Sequence, residues 1–286
     1  MNSQRNSLPY WLIAPGTLVV LALVAVPLVM TFSLSFFSAQ QGGVIDPSLT
    51  LQNYSQIVGD EYYREIFLRT FVLAILVTVV CMLIGVPEAY VLSRLSVGWR
   101  AVSLVIVLGP LLVSVVVRTL GWAILLGREG LINRALLAMS LIDQPLQLMY
   151  SYTGLVIAMS HVMVPYMVLS VWASLQKLDF MTEQAADSLG AGTFTVMRRI
   201  IFPQVIPGVL SGGLIVFALT AGAFATPAII GGRRLKVVPT TIYDEFLNYL
   251  NWPMGAALAA VLMLFVLTVS ILANRFIERR YKQVFA

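Results

Sequence analysis

The chain is short of charge and of nearly every residue that carries chemistry. Only 11% of its 286 residues are charged, 59% are hydrophobic, and mean hydropathy is +0.89. Soluble domains carry about 25% charged residues, so a large water-soluble fold is excluded. One cysteine, Cys81, rules out an intrachain disulfide and is expected as a small buried apolar residue. There is one histidine, no Cys/His spacing for a metal and no paired carboxylates within an apolar run. No G-x-x-x-x-G-K-[ST] occurs, so a P-loop is absent and any ATP driving this chain must sit on another polypeptide. The apolar runs do not alternate with period two, which argues against a barrel.

What is present is length in apolar sequence. A helical span needs about 20 apolar residues, and six runs qualify: 11–37, 68–92, 101–126, 150–174, 207–230 and 254–275. The first exceeds the roughly 7–15 residues of a signal-peptide core and has no A-x-A after it, so a retained helix is expected. With both termini in the cytoplasm, ten Lys and Arg fall inside, seven outside, and Arg118 lies within a run. That excess, with the basic tail NRFIERRYK, sets the orientation. The net charge of +5 is thus a topology signal. Residues 38–66, 127–149 and 231–253 are expected outside, and 93–100 and 175–206 inside. The chain reads as one all-α membrane domain, 1–286, with six transmembrane helices.

One island interrupts the apolar sequence: TEQAADSLGAGTFTVMRRIIFP, residues 182–203. Asp179 and Thr182 can cap a helix start. Glu183, Gln184, Ala185, Ala186, Asp187 and Leu189 favour or tolerate a helix, and Gly190 suits its stop. Thr193 can start a second helix with Phe194, Met197 and Ile201 on one face, which Pro203 and Pro207 separate from the fifth span. Glu183 and Asp187 share a face and repel, while Ala185, Ala186 and Gly190 let another surface approach. Docking to a basic surface and a merely solvated helix both fit these features.

The island resembles the signature of ABC-importer permease subunits: Glu-Ala-Ala, three residues, Gly, nine residues, Ile, one residue, Leu-Pro. Ala185, Ala186, Gly190, Ile200 and Pro203 match in register. Gln184 stands in place of the signature Glu, and Phe202 in place of Leu. The resemblance implies a type I ABC importer permease fold in the bacterial inner membrane, with 176–205 a cytoplasmic coupling-helix loop set in a groove of the ATPase. It implies a non-catalytic subunit that binds no cofactor of its own, ATP and Mg being held by an ATPase dimer. A second permease subunit, expected as a heterodimer partner, and a periplasmic solute-binding protein complete the implied assembly. GVPEAYVLSR, VVVRTLGW, VPYMVLSVWASLQKLD, FATPAIIGG and NWPMGAALAAVL look like the polyamine branch, typified by spermidine/putrescine importers. Relatives of similar pattern carry opines, phosphonates, thiamine or ferric iron, so an anionic or zwitterionic solute is the alternative. An ion-coupled secondary transporter is a further one, for which the intramembrane ionisable groups are few.

Candidate path residues follow from cost: ionisable groups inside a membrane are functional candidates by default. Arg118, in VRTLGW with Trp122, lies near the outer interface, as an anchor or as a contact to solute or a partner helix. Glu88, after Pro87, can serve a cation path or pair with Arg94. His161 can face a cavity or hydrogen-bond between helices. Gly109-Pro110, Pro165 and Pro227 are expected kinks, and Gly208 with Gly212 a close helix contact. In TIYDEFLNYLNWP, Ile242, Phe246, Tyr249 and Leu250 share a face, suggesting an interfacial helix anchored by Trp252. The family resemblance makes Asp244 and Glu245, on that loop, contacts for the binding protein or for solute entry.

Overall fold

A computed structural model describes residues 8–39, 43–177 and 180–280. The side chains of 8–12, 180, 183, 187, 193, 194, 278 and 280 lie outside that description. In chain order the elements are α1 (Leu8–Leu34), β1 (Ser38–Ala39), β2 (Ile45–Asp46), α2 (Gln52–Gly59), α3 (Glu61–Arg94), α4 (Val97–Leu112), α5 (Val115–Leu126), α6 (Leu131–Ala138) and α7 (Tyr152–Leu175). Then come α8 (Phe180–Ser188), α9 (Thr193–Val196), a π-helical turn at Met197–Ile201, α10 (Phe202–Ala221), a second at Pro227–Gly231, α11 (Val238–Tyr243), a third at Asp244–Asn248, and α12 (Trp252–Arg280).

The chain forms two compact units. The first joins the residues up to Glu61 with Thr241–Met263. In it, β1 and β2 make a two-stranded antiparallel ribbon, with Ser38 opposite Asp46. Asn53 of α2 donates to the carbonyls of Ser35 (3.0 Å) and Phe37 (2.7 Å), and Tyr54 meets Ser35 Oγ at 2.6 Å. These bonds satisfy the carbonyls at the end of α1, as a helix terminus requires.

The second unit, Tyr62–Thr240 with the chain from Leu264, holds the main core. Leu73, Val77 and Cys81 of α3 pack with Met159, Met167, Val168 and Val171 of α7 and Val205 and Val216 of α10. Cys81 is the buried apolar residue expected, its thiol 3.8 Å from the Ser160 carbonyl. Helices α3 and α7 run parallel, since Cys81 meets Ser160 and a Cβ on Gly85 would lie 2.8 Å from Met167 Cγ. Helix α10 runs against them. Gly208 faces Ser170 and Ser174, and Gly212 faces Ser170 and Met167, which is the expected small-residue contact. Ser170 Oγ donates to the Gly208 carbonyl at 2.9 Å.

Among the described residues five helices are long and apolar enough to span a bilayer, and the sixth expected span is broken. Helix α4 stops at Leu112, and the chain bends by 96° into α5. Parallel α3 and α7 require a crossing between them, so the bent pair is a broken span and not a re-entrant loop. The kink expected at Gly109-Pro110 falls three residues later. Helix α4 carries Pro110 in its last turn, and Arg118 Nη1 donates to the Pro110 carbonyl. That guanidinium takes an acceptor that a continuing helix would have given to Ser114.

The fifth span also departs from its expected bounds. Pro203 and Pro207 do not separate it from the island: α9, the π turn and α10 run on continuously through both prolines. Phe202 N–H donates to the Met197 carbonyl, the wider π closure. The extra residue rotates the buried face. Val196 and Ile201 are buried, whereas Met197, expected beside Ile201, is exposed. Helix α10 ends at Ala221, and the apolar residues beyond it form the turn starting at Pro227.

Candidate functional site

Three of the intramembrane candidates, Glu88, Trp122 and His161, converge on one cleft. It holds about 470 Å³ between α3, α4, α5 and α7, and Glu88, Trp122, Ser160 and His161 line it among apolar side chains. Trp122 Nε1 donates to His161 Nδ1 at 3.2 Å. A neutral His161 therefore carries its proton on Nε2. The two rings meet nearly edge to face, 5.5 Å apart, which fixes the indole against the cleft wall.

Glu88 also borders a second cleft of about 330 Å³ with Val91, Leu92, Leu95, Ser103, Ile106 and Val107. The two clefts share Glu88, Ile106 and Val107 and so follow one another along the C-terminal half of α3. The pairing of Glu88 with Arg94 does not form: Arg94 lies over the Tyr90 ring, 5.2 Å from its centroid. Glu88 has no hydrogen bond or ion pair among the described residues, and it is the charged side chain in both linings. Arg118 does not line either cleft; its Nη1 donates to the Pro110 carbonyl, while its Nε is buried without a hydrogen-bond partner. The anchor reading of Arg118 is the one the geometry favours.

Sequence reasoning missed two hydroxyls here. Ser160 Oγ is buried without a hydrogen-bond partner, and Ser103 borders the inner cleft. A serine next to the only histidine of an apolar run was the available signal.

The island forms α8 and its cap. Gly190 has φ +78°, the left-handed conformation expected of a glycine stop. Ala191 N–H donates to the Ala186 carbonyl at 3.0 Å, closing a Schellman motif, and both alanines pack against the core. Gln184 and Ala185 are exposed, as is Leu189 at 88%. Nothing lies within 4 Å of a Cβ placed on Gly190. Ile200 is half-buried and Pro203 exposed. Asp179 lies outside the described residues, as do the side chains of Glu183 and Asp187.

The expected outer helix is also reshaped. Its second half is the π turn, in which Asn248 Nδ2 donates to Asp244 Oδ1 at 2.7 Å. Glu245 is only 6% exposed, which corrects its reading as a surface contact, whereas Asp244 is half-buried. Phe246 packs on α12, where a Cβ on Gly255 would come within 2.7 Å of its ring. Trp252 is half exposed, 6.3 Å from Phe246.

Comparison with known proteins agrees with this architecture. The family described as "Binding-protein-dependent transport system inner membrane component" matches residues 11–283. The chain is 30% identical over 239 residues to the spermidine/putrescine transport system permease protein PotB of Escherichia coli K12, covering 84% of this chain and 86% of that protein. It is 28% identical over 260 residues to PotB of Haemophilus influenzae, covering 90% and 91%. Among solved structures it resembles a chain of a bacterial ABC transporter involved in the import of the acidic polysaccharide alginate. That match has a TM-score of 0.75 over 96% of both chains at 16% identity, a likeness of fold. The MetNI methionine ABC transporter gives 0.57 over 77% of this chain and 98% of that one, at 15% identity.

Proposed function

This chain belongs to the binding-protein-dependent transport system inner membrane components, the inner-membrane permease subunits of ABC importers, and from that premise we propose that its solute is a polyamine of the spermidine or putrescine class. The observation that carries the proposal is Glu88, an unpaired carboxylate shared by two successive clefts with aromatic and apolar walls. A polyamine is a flexible chain of ammonium groups joined by methylenes. One ammonium can meet Glu88 as a charge-assisted pair, the Trp122 face can take another, and the apolar walls accept the methylenes. The names of the PotB relatives point to the same solute.

In this reading the chain makes no covalent step. It forms half of the pathway with a second, different permease subunit. Residues 180–203 dock on an ATPase that holds ATP and Mg, with Glu183, Gln184, Ala185, Asp187 and Gly190 at the contact, Ala186 turned instead to this chain's own core, and Ile200 and Pro203 anchoring it. A periplasmic binding protein delivers the solute, with Asp244 and Trp252 as its contacts. Closing of the ATPase dimer moves α8, and α10 carries that motion to the clefts through its contact with α7.

The test is uptake into proteoliposomes by the complete importer. Glu88→Gln keeps the shape and removes the charge, and is expected to raise the KM for spermidine about tenfold or more, one charge-assisted contact being worth about 1.5–3 kcal/mol. Unchanged spermidine uptake in this variant would reject the assignment of Glu88. Wild-type uptake confined to anionic or zwitterionic solutes would reject the polyamine reading while leaving the family intact.

A further inference from the structure

A third, chemically opposite cavity lies at the other end of the α7–α10 pair from residues 175–202. It holds about 640 Å³ and is lined by Arg128, Gln147, Tyr150 and Arg234 over an apolar floor that includes Leu146 and Met149. Neither arginine has a hydrogen bond or ion pair among the described residues. Two unpaired guanidiniums facing one cavity repel a polyamine and suit an oxyanion, which their planar forks bind bidentately.

The walls are built and held. Asn133, fully buried, donates to the carbonyls of Gly127 (3.1 Å) and Leu146 (3.0 Å) and accepts from Leu146 N–H (2.8 Å). These bonds tie the turn bearing Arg128 to the strip 145–150. Tyr150 is left-handed (φ 59°), and its N–H donates to the Ile230 carbonyl at 2.9 Å. Its ring lies flush on Gly232, itself at φ 55°, where a Cβ would come within 2.8 Å of Tyr150 Cε1. Backbone held in sparsely populated conformations persists where the surroundings impose it, and such strain gathers at ligand clamps.

Three apolar segments end here: α5 at Leu126, the turn after α10 at Gly231, and α7 where it begins at Tyr152. The cavity therefore opens at the membrane–water boundary, with Tyr150 and Tyr152 at the level of an aromatic belt. We propose that it binds the phosphate of an anionic phospholipid headgroup, with the arginines on the phosphate and the glycerol backbone on the Leu146–Met149 floor. Planar guanidinium forks take a phosphate bidentately wherever a headgroup reaches them.

The test is native mass spectrometry of the intact purified importer, offered dioleoyl phosphatidylglycerol, dioleoyl phosphatidylcholine or inorganic phosphate. The wild type is expected to retain phosphatidylglycerol over phosphatidylcholine by about tenfold. Arg128→Gln with Arg234→Gln brings the two lipids to parity, while Arg233→Gln, which does not line the cavity, leaves the preference intact. Arg128→Lys with Arg234→Lys, which conserves charge, keeps a reduced preference of about threefold. Undiminished phosphatidylglycerol retention in the glutamine pair would overturn the site. Full displacement of phosphatidylglycerol by equimolar inorganic phosphate would make it a free-phosphate site and overturn the lipid assignment. Neither result bears on which solute the importer carries.

Discussion

Replacing Gly212 by alanine tests whether close packing of α7 on α10 holds the second unit together. The new Cβ would lie 2.9 Å from Ser170 Cβ and 3.0 Å from Met167 Sδ. Carbon atoms prefer about 3.5–4.0 Å, so the helices must part by roughly 0.6–1 Å, and a gap of that size forfeits about a quarter to a half of each facing dispersion contact. The same displacement stretches the 2.9 Å bond from Ser170 Oγ to Gly208, a loss of about 0.6 kcal/mol in a membrane interior. Overpacking costs about 1–3 kcal/mol, so a loss of about 2–4 kcal/mol is expected, or roughly 3–7 °C in melting temperature for a chain of this size. The assay is a thermal melt of the detergent-solubilised chain followed by size-exclusion chromatography. Gly121→Ala, where nothing lies within 4 Å of the added carbon, is the control and is expected to melt with the wild type. Equal melting of the two variants would refute the packing argument.

Arg118→Met removes the donor to the Pro110 carbonyl at the break in the third span, and is expected to cost about 1–3 kcal/mol of stability with the KM for solute unchanged. A KM raised by an order of magnitude at unchanged melting temperature would instead make Arg118 a solute contact. Gly190→Asp leaves the fold intact, because aspartate enters the left-handed region more readily than most residues. It sets a carboxylate in the open space beside Leu189. Loss of ATPase co-purification and of ATP-dependent uptake is expected, and normal assembly with normal uptake would contradict docking at this segment.

The class of the molecule was legible because bilayer length and low charge leave few alternatives. The glycine stop at Gly190 was legible for a local reason: a polar helix between apolar spans needs a left-handed terminus, and glycine takes it most readily. The break in the third span was legible from Gly109-Pro110, but its place after Leu112 was not, because the donor that takes the Pro110 carbonyl lies eight residues along the chain. Burial inside the spans was equally hidden. Cys81 is fully buried and Leu83 is 70% exposed, yet both suit lipid and core alike, so hydropathy does not separate the faces. Glu88 and His161 could be named singly from their cost in a membrane, and Trp122 from its place in VRTLGW. Their convergence depends on the parallel course of α3 and α7 and on the bend into α5, neither of which leaves a periodic trace. Glu245 was misread for a related reason, since a π turn carries its side chain inward from a position a regular helix would expose.

The most direct test is ATP hydrolysis by the complete reconstituted importer, with its binding protein loaded in turn with spermidine, putrescine and a panel of anionic solutes. Stimulation by the polyamines, abolished or sharply weakened by Glu88→Gln at unchanged assembly, is the result expected of a carboxylate-lined polyamine path. Stimulation by an anionic solute alone, indifferent to Glu88, would contradict it.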